Sequence, residues 1–167
     1  VARFVGDFRA ADREWAEQLG LGDRLELVPY APRAEALRLQ RDSEALLLLV
    51  PDAGGRGKGV LSGKVFEYLA AGRPILAVVP PDGAAAQLIR ETGAGVVVAP
   101  GDVDGIRAAL QELHARYLDG GLSAVELTED VRRRLSRQTR VEEMAVLLRA
   151  IAASKTAAIV RSSSPSR

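Results

Sequence analysis

Four short apolar runs in this 167-residue chain each end at a proline, and this feature constrains the fold more than any other. Proline has no amide hydrogen to donate to a neighbouring strand, so it ends a strand cleanly. Segments with helical apolar spacing lie between the runs, and strands that alternate with helices predict βαβ units with a parallel sheet. The four junctions are Val28–Pro29, Val50–Pro51, Val79–Pro80 and Ala99–Pro100.

We therefore expect an α/β fold with a single Rossmann-like, doubly wound parallel sheet and helices on both faces. The run Ala45–Val50 is apolar throughout, which predicts a central strand buried on both faces. The expected strands are Phe4–Val5, Leu25–Val28, Ala45–Val50, Ile75–Val79 and Gly95–Val98. The expected helices are Ala10–Leu19, Arg33–Arg41, Ser62–Ala71, Gly83–Glu91, Asp102–Tyr117, Ser123–Leu135 and Arg140–Ala153.

The pattern predicts one domain over residues 1–153 and a disordered tail over 154–167. The tail ends in a Ser-rich stretch that cannot build a core. At the other end, Val1–Gly6 has the pattern of a strand already under way, so we expect the chain to be part of a longer protein. The carboxyl ends of the strands are predicted to form the rim of a ligand site, because ligands of open α/β sheets bind there.

Composition excludes several classes of function. The 23 basic and 22 acidic residues give a net charge of +1, so no overall field favours nucleic acid as a partner. Without cysteine and with a single histidine, the chain cannot build a thiolate or multi-histidine metal site, and we expect no metal and no cofactor. No apolar run approaches the roughly 20 residues that span a bilayer.

The stretch Ser62–Pro74 is the strongest candidate for a site. Ser62 is a predicted helix N-cap and Gly72 a predicted stop, with Lys64 and Glu67 as neighbours on the polar side. Because a Gly-rich loop precedes this helix, its first amides and the positive end of its dipole would face an anion. The face predicted to pack on the sheet comprises Val65, Phe66, Leu69 and Ala70.

Two familiar nucleotide motifs are not satisfied. Gly63-Lys64 is followed by Val65, where a P-loop needs Ser or Thr for magnesium. The glycines of the loop Pro51–Ser62 lack the spacing of the dinucleotide fingerprint, and they do not follow a first strand. Neither a P-loop ATPase nor an NAD site is supported.

The run Lys64–Ala77, with its core Phe-Glu-Tyr-Leu-Ala-Ala-Gly-Arg-Pro-Ile, resembles the carboxyl-terminal, donor-binding domain of GT-B glycosyltransferases of the family 4 kind. The regions Gly93–Val98 and Asp102–Leu110 resemble that domain too. The resemblance implies the carboxyl-terminal half of a GT-B architecture. It also implies that the full-length enzyme transfers a sugar from a nucleotide diphosphate donor to an acceptor held by an amino-terminal domain of the same chain.

The resemblance implies a role for each matching residue. The glutamate at Glu67 would bind the donor ribose, since a carboxylate accepts both protons of a vicinal diol. Ser62, Gly63 and Lys64 would lie by the diphosphate. The family's basic pair usually includes residues upstream of Val1, so the remaining basic candidates here are Arg9, Arg56 and Lys58. The candidates for the base-binding loop are Pro29, Tyr30 and Ala31.

One departure from the family concerns the sugar. The family often has a second glutamate eight positions before Glu67, and this chain has Gly59 there, which puts sugar contact from that side in doubt. Glu67 with Lys64 could also be an ordinary surface pair, and Arg56 and Lys58 ordinary solvated loop residues.

Two other functions stay open at this stage, a non-catalytic Rossmann-like module that binds a nucleotide or mediates assembly, and a sugar-nucleotide epimerase of the same architecture. For the glycosyltransferase we expect a cytoplasmic protein, with peripheral membrane association of the full-length protein as an open alternative. The chain by itself is expected to lack transferase activity, because the acceptor site would lie in the amino-terminal domain.

Overall fold

The structure, a computed structural model, describes residues 1–162, with side-chain surroundings for residues 1–153. It is an α/β fold in which five strands alternate with the first helices, as the sequence predicts. The strands are β1 (Ala2–Val5), β2 (Leu25–Val28), β3 (Leu46–Leu49), β4 (Ile75–Val78) and β5 (Gly95–Val98). The helices are α1 (Ala10–Gln18), α2 (Arg33–Asp42), α3 (Gly63–Ala71), α4 (Ala84–Thr92), α5 (Val103–Leu118), α6 (Glu129–Leu135) and α7 (Arg137–Ser162).

All strand pairs are parallel, but the strands form two sheets. β1 pairs with β2, and β3, β4 and β5 form a second sheet in that order. Within residues 1–162 no ladder joins β1 to β3. The parallel α/β class is confirmed, whereas the single doubly wound sheet is not, because within the described residues the strands form two separate sheets.

The core surrounds β4, which is buried along its whole length. One face of the three-stranded sheet packs against α5 through Leu76, Val78, Val98, Ala109 and Leu113. Since side chains alternate along a strand, Ile75 and Ala77 point to the opposite face, where α3 and α4 contact the sheet. This sheet and its three helices therefore hold the rim in place.

The prediction that the Ala45–Val50 strand is buried on both faces is wrong. Leu46 and Leu48 are buried, but Leu47 is 38% exposed and Leu49 is 58% exposed. Leu47 and Leu49 pair in register with Leu76 and Val78, so they lie on the α5 face of the sheet. They are exposed because α5 covers β4 and β5 but leaves β3 open on this face.

Helix α3 matches its predicted bounds but buries a narrower face. Val65 and Leu69 are buried, whereas Phe66 and Ala70 are exposed, so the prediction that all four pack on the sheet is wrong. A nine-residue helix beside a short strand contacts it through a single i, i+4 pair. Gly72 ends the helix in the left-handed conformation at φ 67°, as predicted.

The predicted helix Ser123–Leu135 is shorter in the structure, where α6 begins only after Thr128. The Thr128 hydroxyl accepts a hydrogen bond from the Val131 amide at 3.4 Å and marks the helix start. Before Thr128, the Val125 amide donates to the Gly72 carbonyl at 2.8 Å. This segment therefore lies beside the end of α3 and does not form a helix.

The chain divides into two compact units, Val1–Val125 and Glu126–Arg167. The predicted domain over 1–153 stays a prediction. Helix α7 begins at Arg137 and continues beyond the predicted Ala153 limit to Ser162, in keeping with the helix propensity of its alanines. Residues 163–167 of the predicted tail lie outside the described residues. None of the described helices has the length and apolarity needed to cross a bilayer.

Gly95→Ala is expected to destabilise the protein by at least about 2 kcal/mol. A β-carbon at position 95 would overlap the backbone carbonyl of Ile75 on the neighbouring strand, and backbone cannot move aside cheaply. Urea unfolding followed by circular dichroism measures the change. The matched control is Gly63→Ala at the first turn of α3, where an added carbon meets no atom within 4 Å. An unfolding midpoint unchanged by Gly95→Ala would contradict the β4–β5 packing described here.

Candidate functional site

The first residue of α2 and the second turn of α3 meet at one ion pair. The Arg33 Nη1 atom lies 3.1 Å from the Glu67 Oε1 atom. Both helices begin after the carboxyl end of a strand, α2 after β2 and α3 after β3. The contact therefore joins the rims of the two sheets, at the edge where α/β proteins bind ligands.

The other ends of the same two helices are also joined. The Arg73 Nε atom donates a hydrogen bond to the Arg41 carbonyl at 2.7 Å. With one contact at each end, α2 and α3 lie side by side and point in the same direction. Their positive dipole ends consequently lie close together.

This arrangement brings the base-loop candidates close to α3. Ala31 lies two residues before Arg33, and Tyr30 lies three residues before it. Even a fully extended chain therefore keeps the α-carbon of Tyr30 within about 11 Å of that of Arg33. Pro29 and Tyr30 are exposed and Ala31 is half-buried. The structure thus brings the predicted base loop and the predicted ribose residue, Glu67, to the same place.

Glu67 is the most enclosed charged group of the site. Its side chain is 29% exposed, whereas that of Arg33 is 76% exposed. On the next residue, burial raises the pKa of the Tyr68 hydroxyl, and the negative charge of Glu67 adds to the effect. The surface pair considered from sequence, Glu67 with Lys64, is not formed, because Glu67 turns to the neighbouring helix instead.

The start of α3 is open. Ser62 occupies the N-cap position with extended backbone angles, as predicted, but its hydroxyl makes no capping hydrogen bond. Gly63 and Lys64 are exposed, and across residues 1–153 no ion pair involves Lys64. The first amides of a helix have no partner inside the helix. Ser62, Gly63 and Lys64 together can therefore bind an anion with amides, a hydroxyl and a cation.

The other three basic candidates have partners close by. Lys58 Nζ lies 2.6 Å from Asp82 Oδ2, and Arg56 Nε donates to the Ala53 carbonyl at 3.1 Å. Arg9 occupies the N-cap position of α1 and donates to the Asp12 carboxylate from two guanidinium nitrogens at 2.8 and 3.0 Å. Of the four basic side chains singled out from sequence, Lys64 is the one the structure leaves available beside Glu67.

The glycine-rich loop is folded onto the protein. Gly57 is buried, and a β-carbon there would overlap the Pro51 carbonyl, so glycine is required for packing. Position 59 differs, because an added β-carbon would meet nothing within 4 Å. The glycine at the family's glutamate position is therefore not imposed by packing.

The Lys58–Asp82 pair ties this loop to the turn before α4. The Lys58 ammonium, through its hydrogen bond, holds the pKa of the Asp82 carboxyl below its usual range, and the carboxylate raises the pKa of Lys58. The ionised Asp82 carboxylate stabilises the folded protein at pH values above the usual aspartate pKa, and this contribution is lost as the pH falls through the lowered pKa. The charged Lys58 ammonium stabilises the folded protein at pH values below the usual lysine pKa, and this contribution is lost as the pH rises through the raised pKa.

Comparison with known proteins identified no matching family model, no matching curated protein and no matching solved structure. The resemblance to a glycosyltransferase domain therefore rests on the residues of this chain alone. Among the residues that the structure describes, no group of three or more potential metal ligands is close enough to hold an ion.

Sequence reasoning places Arg33 and Asp82 on the predicted rim, in the loops Pro29–Arg33 and Pro80–Gly83, but gives neither side chain a role or a partner. Asp82 follows the proline that ends β4, at the same rim. Their partners could not be read from spacing, because Arg33 and Glu67 lie 34 positions apart and Lys58 and Asp82 lie 24 apart.

Lys58→Met is expected to raise the pKa of the Asp82 carboxyl toward its usual value, because the mutation removes the hydrogen-bonding ammonium. A carbon-detected NMR titration between pH 2 and about 6 follows this carboxyl directly. Lys64→Met, which removes an unpaired cation from the same rim, serves as the control and should leave Asp82 unchanged. Equal titration of Asp82 in the wild type and in Lys58→Met would show that the pair does not form in solution.

Proposed function

We propose that this chain is the nucleotide-sugar-binding half of a glycosyltransferase, with a Rossmann-like doubly wound sheet. The observation that carries the proposal is the Arg33–Glu67 contact. It gathers the predicted base loop, the predicted ribose carboxylate and the open start of α3 at the carboxyl ends of the strands. The Lys64–Ala77 resemblance supports the same assignment independently of that geometry.

In the proposed complex Glu67 accepts hydrogen bonds from the two ribose hydroxyls. A carboxylate that is 29% exposed is enclosed enough for charge-assisted bonds yet still reachable by ligand. Exposed ion pairs contribute only about 0–1 kcal/mol, so Arg33 can release Glu67 at little cost. The exposed guanidinium then turns to the diphosphate, with which it forms paired hydrogen bonds.

The diphosphate binds at the start of α3. The amides of Gly63 and Lys64, the Ser62 hydroxyl and the Lys64 ammonium neutralise the leaving group, and the helix dipole adds to this effect. In transfer, the bond between the anomeric carbon and the diphosphate oxygen breaks, and the diphosphate leaves with the electron pair. A bond from the anomeric carbon to an acceptor oxygen forms, and the acceptor proton goes to a base outside this chain.

The remaining parts of the proposal concern the full-length protein. The acceptor and its base are assigned to an amino-terminal domain, so residues 1–167 alone bind donor without transferring sugar. We assign the protein to the cytoplasm. Peripheral association of the full-length protein with the membrane surface is a further part of the proposal.

A non-catalytic nucleotide-binding or assembly module is the second candidate. The pairing of Lys58 with Asp82 and of Arg9 with Asp12 favours it, because those cations then have structural roles and need no ligand. An assembly module would show no nucleotide binding that depends on Glu67. A sugar-nucleotide epimerase would bind donor similarly, but its full-length form would convert donor without any acceptor.

Glu67→Gln is expected to weaken diphosphate-nucleoside binding by about 1–3 kcal/mol, the cost of losing hydrogen bonds to a charged group. Calorimetric titration with UDP, GDP, ADP and TDP measures the effect and names the base. The control is Glu35→Gln, which removes a glutamate that is ion-paired to Arg38 on α2 and should leave affinity unchanged. Equal affinity of Glu67→Gln and wild type would exclude the ribose role.

Arg33→Gln is expected to weaken the binding of nucleoside diphosphates and of inorganic pyrophosphate, and to leave the binding of a free nucleoside unchanged. The reason is that Arg33 is assigned to the phosphates and not to the ribose. Competition of pyrophosphate and of free nucleoside against the best diphosphate separates the two contributions. A loss confined to the free nucleoside would contradict the assignment.

A further inference from the structure

Helix α7 carries an exposed apolar stripe with the spacing of a coiled-coil seam. Val141, Met144, Leu148 and Ile151 follow one another at intervals of three, four and three residues, as the a and d positions of a heptad do. Each of the four side chains is between 58% and 67% exposed. Scattered single leucines on a surface need no explanation, but four apolar residues along one face of a helix indicate an interaction surface.

Small residues border one side of this stripe. Ala145 and Ala152 take the e positions, next to the seam, whereas Leu147 lies on the other flank and adds to the apolar surface. The distance between two packed helices depends on the side chains at their contact. Alanines beside the seam let a second helix approach to about 8 Å, the close end of the usual range.

The polar side of α7 carries charges of both signs. Glu142, Glu143 and Arg149 lie away from the stripe. Amphipathic helices that lie on anionic lipid have a polar face rich in Lys and Arg, so two adjacent glutamates favour a protein partner. Across residues 1–153 Glu143 pairs with Arg140 at 2.8 Å, and no ion pair involves Arg149.

The stripe matches a second copy of itself when the two helices run in opposite directions. Val141 lies five positions before Val146, and Ile151 lies five positions after it. Two antiparallel copies that cross level with residue 146 therefore place Val141 of one copy against Ile151 of the other. Met144 then meets Leu148 in the same way, and the twofold axis repeats both contacts. The result is four apolar layers.

The charges favour the same direction. In the antiparallel alignment Glu142 of one copy lies level with residue 150 of the other, one position from the unpaired Arg149. Because only alanine separates them from the seam, the two long side chains can meet across it, once on each side of the twofold axis. A parallel pair would instead place Glu142 beside Glu142 and Arg149 beside Arg149, and like charges repel.

We propose that α7 is a self-association surface, at which two copies of this chain pair as antiparallel helices through Val141, Met144, Leu148 and Ile151. The inference rests on the spacing, exposure and charge pattern of one helix, and it does not depend on the glycosyltransferase proposal. Four layers make a small interface, and small interfaces are weak, so association is expected only at high protein concentration.

Analytical ultracentrifugation of residues 1–167 between about 10 µM and about 1 mM tests the interface. The wild type is expected to form dimers over this range. Leu148→Glu is expected to raise the dissociation constant about tenfold or more, because it puts two charges into the seam. The matched control is Val146→Glu, which adds the same charge to an equally exposed residue on the opposite face and should leave association unchanged.

A wild type that stays monomeric up to about 1 mM would overturn the proposal. Binding of that monomer to anionic lipid vesicles, lost in Leu148→Glu, would overturn it in favour of a lipid surface. Equal weakening by Leu148→Glu and Val146→Glu would do so too, because the seam would then have no special part in the association. Circular dichroism of each variant checks that α7 is retained.

A charge exchange tests the direction of the helices. Glu142→Arg is expected to weaken dimerisation, because two arginines then face each other across the seam. Addition of Arg149→Glu to the same chain restores the opposite charges and should restore the dissociation constant of the wild type. A double variant that associates no better than Glu142→Arg would exclude the antiparallel pairing.

Met144 reports on the seam directly, because it is the only methionine in the chain. With a ¹³C-labelled methionine methyl group, the wild type gives one signal, which is expected to move with protein concentration at the same midpoint as the sedimentation change. In Leu148→Glu the signal should stay at its dilute position. A signal that does not move while the protein dimerises would assign the dimer to another surface and overturn the proposal.

Discussion

The burial of β4 between β3 and β5 is the constraint on which the rest of the structure depends. All four of its residues are buried, and this requires strands on both edges and helices on both faces. The tight β4–β5 pairing in turn admits only glycine at position 95. Because the three strands are parallel, their carboxyl ends face the same side, and the glycine-rich loop, the start of α3 and the turn before α4 are held there together.

The site itself is held by weak interactions. Glu67 is fixed by one contact to an exposed arginine, and the glycine-rich loop is tied to the α4 turn by one exposed ion pair. Such contacts fix a geometry without stabilising the fold much, so a ligand that offers better partners can replace them. The core determines where the rim lies, and the charged residues on it remain free to exchange partners.

The elements that follow local rules could be predicted from sequence. The five strands end at or within one residue of the predicted points, and Ser62 and Gly72 have the predicted cap positions. The predicted helix from Ser123 failed because a long-range hydrogen bond to Gly72 holds Val125 outside any helix. Periodicity carries no information about such a contact.

Burial and the partners of charged residues were harder to predict. The leucines of β3 have the composition of a central strand, yet two of them are exposed, because α5 covers β4 and β5 and leaves this face of β3 open. Glu67 was identified from a local motif. Its partner Arg33 lies on another helix, and only the packing of α2 against α3 brings the two together.

The central claim is that a nucleoside diphosphate binds where α2 and α3 begin. An NMR titration of the backbone amides with UDP, GDP, ADP and TDP tests it most directly. The account predicts that one of them shifts the amides of residues 29–33 and 62–67, and leaves those of the second unit unchanged. Shifts that lie elsewhere, or no shifts with any of the four, would contradict it.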